Sequence, residues 1–269
     1  MTLSISGKTA IVTGAANGVG RAIARHFADK GANVMFVDMD DAGLAREVGE
    51  VEEGGNIRHF AGDLREKLTL ANLLSATIDA FDRVDILVNA SRQVVRSDPL
   101  NPDDDAVEAL IGQNLMTSLR LSQVVAKRMI KQAEDESGEG SASAGSIINL
   151  SSILGSRAHP DLMALSISNA ALEQMTRSLA VALAGKRIRV NAVAMGSVMS
   201  ASMQEHLKEH PDFRSVIEKG TPLGRIASAS ELAETMQFLA SDGSGFMTGQ
   251  VLTVDGGRTL LDPVTAPAH

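Results

Sequence analysis

The sequence predicts a single α/β domain spanning residues 1–269, with a doubly wound parallel sheet and helices on both faces. Short apolar, β-branched runs recur with enough chain between them for a helix each, which is typical of βαβ units. The segments between these runs have apolar residues at helical spacing. A chain of 269 residues, 44% of them hydrophobic, suits one large core. The predicted strands lie at 9–13, 34–37, 86–88, 147–150, 190–193 and 251–254.

The helix after the first strand has the clearest pattern. Val19, Ile23 and Phe27 share one face, Lys30 lies in the last turn, and Gly31 follows as a typical helix terminator. Two segments depart from the alternating pattern. The stretch 132–146 is rich in glycine, serine and acidic residues, which predicts a mobile surface loop, and residues 260–269 are expected to form an extended tail.

Composition excludes several classes of function. The chain has no cysteine, so disulfides, thiolate metal sites and a cysteine nucleophile are excluded. A net charge of -8 argues against nucleic-acid binding. The sequence contains no run of eighteen apolar residues, so no membrane span is predicted. The expected location is cytoplasmic. The chain also has no tyrosine, so no mechanism here can use a phenol.

A glycine-spaced turn, TGAANGVG at 13–20, lies between the first strand and the first helix. Such a turn lets the backbone approach a pyrophosphate, whose charge the helix N-terminus attracts. Asp38 ends the next strand, where a carboxylate accepts hydrogen bonds from ribose hydroxyls and repels a 2′-phosphate. The sequence therefore predicts NAD(H) rather than NADP(H). The predicted contacts from the turn are Gly14, Asn17, Gly18, Val19 and Gly20.

From about residue 7 to residue 257 the chain resembles the short-chain dehydrogenase/reductase family. The resemblance is carried by TGAANGVG, the Asp63-Leu64 pair, IRVNAVAMG at 188–196, PLGRIASASELAETMQFLASD at 222–242 and MTGQVLTVDGG at 247–257. It implies a Rossmann domain with a seven-stranded sheet in the order 3-2-1-4-5-6-7, and a homodimer or homotetramer. It also implies cofactor contacts at Asp63, Leu64, Asn89, Ala90, Val198 and Ser200.

The family's catalytic set is an asparagine, a serine and a Tyr-x-x-x-Lys pair on one helix. Asn114 and Ser152 match the first two, whereas Leu165 and Asn169 stand at the positions of the tyrosine and the lysine. Leucine cannot transfer a proton, and a neutral amide cannot replace an ammonium charge, although Asn169 retains groups that could bond a ribose hydroxyl. The usual alcohol–ketone interconversion is therefore expected to be lost or strongly weakened.

Two functions remain open from the sequence. The protein is either an oxidoreductase with an altered mechanism, using Ser152, Asn114 and water or His159, or a catalytically silent NAD(H)-binding sensor or partner subunit of an active relative. Arg92 replaces a family glycine and either places a charge in the pocket or forms an outward salt bridge. His206 and His210 lie four residues apart, but the expected state is a solvated helix face without metal. The small-molecule substrate is not identified.

Overall fold

A computed structural model describes residues 3–49, 54–135, 143–262 and 264. Seven strands form one sheet in the order β3-β2-β1-β4-β5-β6-β9, and every neighbouring pair is parallel. This confirms the predicted fold class and strand order, with β9 as the seventh strand. The strands are β1 (Thr9–Thr13), β2 (Asn33–Asp38), β3 (Ile57–Ala61), β4 (Ile86–Asn89), β5 (Gly145–Ser152), β6 (Ile188–Met195) and β9 (Val251–Val254).

Three helices pack on each face of the sheet. One core cluster joins the sheet to α1 (Gly18–Asp29), α2 (Asp41–Val48) and α9 (Ala229–Ala240) through residues such as Phe27 and Met236. A second cluster joins the opposite face to α3 (Lys67–Phe81), α5 (Thr117–Asp135) and α6 (Met163–Ala184). The helices bury the sheet on both sides, which explains why most strands are continuous apolar runs.

The remaining elements lie around the carboxyl ends of the strands. A short helix α4 (Ala106–Leu110) continues into a π-helical turn, Ile111–Met116, before α5. After β6, two short strands pair in parallel, β7 (Val198–Met199) and β8 (Ala227–Ser228). The chain between them forms α7 (Ala201–Glu209) and α8 (Asp212–Lys219). Within the described ranges, no helix is both long and apolar enough to cross a membrane.

The strand β3 is missing from the sequence-based set because it lies at the edge of the sheet. Its residues are only half-buried or exposed, and Arg58 and His59 interrupt the apolar pattern. The first helix ends one residue earlier than predicted, at Asp29 with Lys30 as its C-cap, and Gly31 follows with a φ of +80°. An edge strand needs an apolar inner surface only, so composition alone gives it a weak signal.

The predicted loop 132–146 is partly regular structure. Helix α5 extends to Asp135 because Gln132 is buried and its amide bonds both backbone groups of Val84, at 3.0 Å each. Strand β5 already begins at Gly145. Residues 136–142 of the predicted loop lie outside the described residues, as do 263 and 265–269 of the predicted tail. A 3-10 turn at Arg258–Leu260 ends at the first residue of that tail.

Candidate functional site

A cleft of about 770 Å³ opens at the carboxyl ends of the strands. The strand order reverses between β1 and β4, so the loops after these strands diverge and leave a crevice. The cleft brings together most of the predicted site residues from separate parts of the chain. Those that line it are Gly14, Asn17, Gly18, Val19, Gly20, Asp38, Asp63, Leu64, Ala90, Ser152, Leu165, Val198 and Ser200.

The glycine turn is shaped by close backbone contacts. A Cβ on Gly20 would overlap the carbonyl oxygen of Gly14, and a Cβ on Gly14 would lie 2.9 Å from the carbonyl oxygen of Ala90. Gly18 differs, because it has a φ of +58° and no atom lies within 4 Å of its ideal Cβ position. Asn17 makes no side-chain capping bond to α1. This open space beside uncapped helix amides fits a nucleotide diphosphate.

Asp38 joins the end of β2 to the glycine turn. Its Oδ2 accepts a hydrogen bond from the Ala16 amide at 3.0 Å, and its Oδ1 accepts one from the Asp40 amide at 3.2 Å. The nearby cation Arg25 instead donates to Glu47 at 2.6 Å. Asp38 takes part in none of the ion pairs between described residues, and its neighbours in the glycine turn and at the end of β2 that line the cleft are neutral.

Asp63 is held by a neighbour in sequence. The Arg65 guanidinium donates to both carboxylate oxygens, with the shortest contact, Nη2 to Oδ2, at 2.6 Å. These hydrogen bonds, together with one from the Arg65 backbone, hold the pKa of Asp63 below its ordinary range. Asp63 therefore stays ionised at the outer end of the cleft, and Leu64 beside it is buried.

Thr13 is a site residue that the sequence reasoning missed. Its Oγ1 accepts hydrogen bonds from the amides of Ala90 and Ser91, both at 3.0 Å. These bonds fix the start of the loop after β4 against the end of β1. Its position at the strand end, directly before Gly14, is the only sequence signal that could have identified it.

Asn89 has a structural environment that differs from the predicted cofactor contact. Its side-chain amide donates to Asn149 Oδ1 at 2.8 Å and to Ser122 Oγ at 3.1 Å. Asn149 in turn donates to Thr176 Oγ1 at 2.8 Å. This buried network ties β4 and β5 to α5 and α6, and the Asn89 side chain does not line the cleft. Only its backbone remains for the predicted contact.

Asn114 lies in the π-helical turn, is 5% exposed and is not among the cleft-lining residues. Its Oδ1 accepts from the Gln93 amide at 2.8 Å, and its Nδ2 donates to the Gln93 carbonyl oxygen at 3.0 Å. Both ends of the amide are therefore used to hold the backbone of the loop after β4. The structure gives this side chain a positioning contact, and its predicted catalytic role stays a prediction.

Leu165, at the position of the family's tyrosine, forms an apolar wall of the cleft. It is 3% exposed and belongs to a cluster with Ala106, Leu110 and Ala164, against which Leu154 and Leu162 also pack. The cluster leaves a hydrocarbon surface next to Ser152, which also lines the cleft. No proton donor is available at this position of α6.

Asn169 does not reach the cleft. It is 3% exposed, its Nδ2 donates to the Leu165 carbonyl oxygen at 2.8 Å, and its Oδ1 accepts from Ser151 Oγ at 3.2 Å. Ser151 Oγ also lies 2.9 Å from Glu173 Oε1. The expectation that Asn169 bonds a ribose hydroxyl is therefore not met by its side chain as placed, because its amide serves to anchor α6 to β5.

Ser152 and His159 both line the cleft, but each is bonded within its own segment. Ser152 Oγ accepts from the Leu154 amide at 3.3 Å, and His159 Nδ1 accepts from the Asp161 amide at 3.2 Å. In the part of the chain that the structure describes, no hydrogen bond connects the two side chains. A proton relay through His159 stays a hypothesis.

Arg92 places a positive charge inside the cleft. The residue is half-buried, but its Nη1 atom is fully buried and has no hydrogen-bond partner among the described residues. Burial lowers the pKa of the Arg92 guanidinium to about 10. The alternative of an outward salt bridge is not what the structure shows, since none of the ion pairs between described residues includes Arg92.

His206, in the last turn of α7, and His210, which follows the end of that helix, have ring centroids 4.9 Å apart. One ligand atom each from His206, Glu209 and His210 lies within 4.8 Å of the others. The rings also contact one another, and His210 stacks on Phe213 with a centroid separation of 4.7 Å. His206 lines the outer cleft, but Glu209 and His210 are exposed. The aromatic contacts account for this arrangement, and nothing in it assigns a metal.

Comparisons with known proteins agree with this architecture. The family model described as "Enoyl-(Acyl carrier protein) reductase" matches residues 14–259. The 3-oxoacyl-acyl-carrier-protein reductase FabG of Thermotoga maritima is 32% identical over 259 residues, covering 96% of this chain and 100% of the relative. The oxidoreductase UcpA of Salmonella typhimurium is also 32% identical, covering 97% of this chain and 98% of the relative.

Solved structures show the same relationship. A 7α-hydroxysteroid dehydrogenase, solved with NADH and 7-oxo glycochenodeoxycholic acid, has a TM-score of 0.85 and 28% identity, covering 95% of each chain. The family resemblance is thus confirmed over almost the whole chain. The chain belongs to the short-chain dehydrogenase/reductase family of oxidoreductases, whose members bind a nicotinamide cofactor.

Proposed function

We propose that this protein binds NAD(H) in the cleft and that its alcohol–ketone hydride-transfer chemistry is lost or strongly weakened. The observation that carries the proposal is Leu165, which lies in an apolar cluster where the family has its proton-transferring tyrosine. The chain contains no tyrosine that could replace it from elsewhere. The named relatives are reductases and dehydrogenases, so the proposal sets this chain apart from them at the proton-transfer step.

Reduction of a ketone needs a hydride on carbon and a proton on oxygen. A bound nicotinamide supplies or takes the hydride. The Ser152 hydroxyl faces the cleft and can donate a hydrogen bond to a carbonyl oxygen, but it is a poor acid without a partner. Asn114 is committed to Gln93, and Leu165 has no proton. Losing a positioned general acid costs about 10²–10⁴ in rate, or about 3–5 kcal/mol of barrier.

The preference for NAD(H) over NADP(H) is part of the proposal and is supported by Asp38. Its carboxylate lies at the end of β2, where the adenosine ribose of a nucleotide on the glycine turn would lie. Arg21 and Arg25, the nearest cations along α1, contact Glu47 at 3.6 Å and 2.6 Å. A 2′-phosphate would meet a carboxylate without a compensating cation.

The proposal is tested by restoring the missing pair. We expect Leu165→Tyr with Asn169→Lys to raise turnover of some ketone or secondary alcohol by about 10²–10⁴, because a positioned acid returns to the site. Glu173 lies one hydrogen bond beyond Ser151 and could pair with the new lysine, so the series also includes Glu173→Gln in this background. Turnover is measured by NADH absorbance on a broad substrate panel.

A matched control places the phenol elsewhere in the same cleft. Leu162 also lines the cleft and packs on the Leu165 cluster, so Leu162→Tyr with Asn169→Lys should give no gain. Equal gains in both double variants would remove the argument that position 165 is the site of the loss. High turnover by the unaltered chain would contradict the proposal directly.

A second candidate is a silent NAD(H)-binding subunit, in a homodimer or homotetramer or beside an active relative. Exposed apolar side chains favour subunit contacts: Val181 on α6 is 82% exposed, Ile167 on the same helix is 42% exposed, and Phe246 is fully exposed. Light scattering of the purified chain measures its self-association. Co-purification from the native source tests whether an active family member joins it, and a chain that stays monomeric and alone would contradict this candidate.

A further inference from the structure

Arg92 is a cleft-lining cation that the proposed function does not use. Its guanidinium has no hydrogen bond or ion pair with the described residues; Nη1 is buried, but the side chain as a whole is only half-buried. Arg258, another arginine of the cleft lining, is exposed and donates to Ser197 Oγ at 3.2 Å. A desolvated guanidinium without a carboxylate is costly to the fold. Such a group is retained most readily where a ligand completes it.

The backbone on both sides of Arg92 is fixed. On one side, Thr13 Oγ1 accepts from the amides of Ala90 and Ser91. On the other side, Asn114 bonds both the amide and the carbonyl oxygen of Gln93. These two sets of bonds come from separate elements, β1 and the π-helical turn, and together they hold the Arg92 backbone at a set position. A fixed backbone limits the volume that the side chain can sample and so lowers the entropy lost when it binds a ligand.

The surroundings of Arg92 favour an anion. The acidic side chains among the cleft-lining residues are Asp38, which bonds the glycine turn, and Asp63, which is paired with Arg65. Neither has an ion pair with Arg92. Neutral groups that can donate hydrogen bonds line the same part of the cleft: Gln113, whose Nε2 donates to Ser91 Oγ at 3.3 Å, and Ser152. A planar guanidinium with such neighbours matches the geometry of a carboxylate or phosphate.

We propose that Arg92 binds an oxyanion, a carboxylate or phosphate group, of the ligand that occupies the cleft beside Ser152 and Leu165. The assignment rests on the proposed function only in taking this cleft as the nucleotide site. Two molecules could carry the oxyanion: the diphosphate of the nucleotide, or a second, acidic small molecule bound next to it.

The test compares Arg92→Met and Arg92→Lys with a control, Arg214→Met. Arg214 is an exposed arginine of α8 that pairs with Glu218 and does not line the cleft, so its loss changes net charge equally. Calorimetry measures the binding of NADH, ADP-ribose, inorganic phosphate and oxalate, the last two with and without saturating NADH. We expect Arg92→Met to weaken at least one of these probes by about 10- to 100-fold, and Arg92→Lys to weaken it less.

The pattern of losses identifies the source of the oxyanion. Weaker NADH and ADP-ribose binding assigns Arg92 to the nucleotide diphosphate. Unchanged NADH binding with loss of phosphate or oxalate binding to the loaded protein assigns it to a second ligand. If every probe stays within about twofold in Arg92→Met, or if Arg214→Met causes the same losses, the assignment is overturned. Failure of the unaltered chain to bind NADH defeats the proposed function separately, since phosphate and oxalate still report on Arg92.

Discussion

The two halves of the cleft use their polar groups differently. In the nucleotide half, the glycine turn leaves helix amides and open space beside Gly18, and Asp38 and Asp63 line the cleft as charged groups. In the catalytic half, the amides of Asn114 and Asn169 are used in bonds within the protein, and Leu165 forms an apolar wall. The nucleotide half therefore leaves polar groups open to the cleft, whereas in the catalytic half the amides of Asn114 and Asn169 are bonded within the protein.

On the proposed function, the scaffold is retained in this cleft while the proton-transfer chemistry is not. The close contacts of Gly14 and Gly20 are with backbone atoms, so they belong to the fold as well as to the proposed nucleotide site. The family's proton-transfer group is a single side chain, and at the corresponding position of α6 this chain has Leu165, which packs in an apolar cluster. A family match over almost the whole chain therefore supports the fold more strongly than it supports the reaction.

We expect the largest effect on NADH affinity from a substitution in the glycine turn of the nucleotide half. In Gly20→Ala, the new Cβ would overlap the Gly14 carbonyl oxygen, so the turn must shift. We expect NADH affinity to fall by about 100-fold, in line with the 1–3 kcal/mol cost of such overpacking. Gly185→Ala is the matched control, because no atom lies within 4 Å of a Cβ there. Fluorescence titration measures both variants, and equal affinities would show that the turn does not shape the site.

A smaller effect is expected at Asp38. In Asp38→Asn, a neutral amide replaces the carboxylate, so NADH loses a charge-assisted bond and NADPH loses a repulsion. We expect the NADPH dissociation constant, divided by the NADH dissociation constant, to fall by about tenfold. Asp40→Asn is the control, since Asp40 caps α2 and does not line the cleft. A ratio unchanged by Asp38→Asn would contradict the NAD(H) preference.

A third effect concerns the stability of the catalytic half. Asn114→Ala removes two bonds to the Gln93 backbone, which should lower the free energy of unfolding by about 1–3 kcal/mol. Hydrogen exchange of the Gln93 amide should speed up in the same variant. Asn101→Ala, which removes one exposed bond to the Asp103 amide, should change stability by less than about 0.5 kcal/mol. If the Gln93 amide stays equally protected, Asn114 does not position this loop.

The fold could be predicted almost completely from the sequence. Buried parallel strands are apolar runs, and a glycine turn after the first of them is a local signal. The edge strand β3 gave no such run because its residues are half-buried or exposed. Helix α5 continued into a stretch of loop-like composition because Gln132 bonds the backbone of Val84, which is distant in sequence.

The site could be predicted in part. The residues of the glycine turn and Asp38 were identified because their role depends on local backbone geometry. The partners of Asn89, Asn114 and Asn169 were not, since each bonds groups on other elements that the sequence does not place. The contacts of Thr13 could not be predicted for the same reason. Nor could the state of Arg92, because the sequence does not show that its guanidinium lacks a partner among the described residues.

The central claim is that the nucleotide half works while proton transfer does not. It is tested most directly by measuring NADH binding and NADH consumption on the same preparation of the unaltered chain, with a panel of ketones. We expect saturable NADH binding at micromolar to sub-millimolar concentrations, and consumption at least about 10²-fold below the typical enzyme range of 1–10³ s⁻¹. Turnover within that range, or no binding at millimolar NADH, would contradict the account.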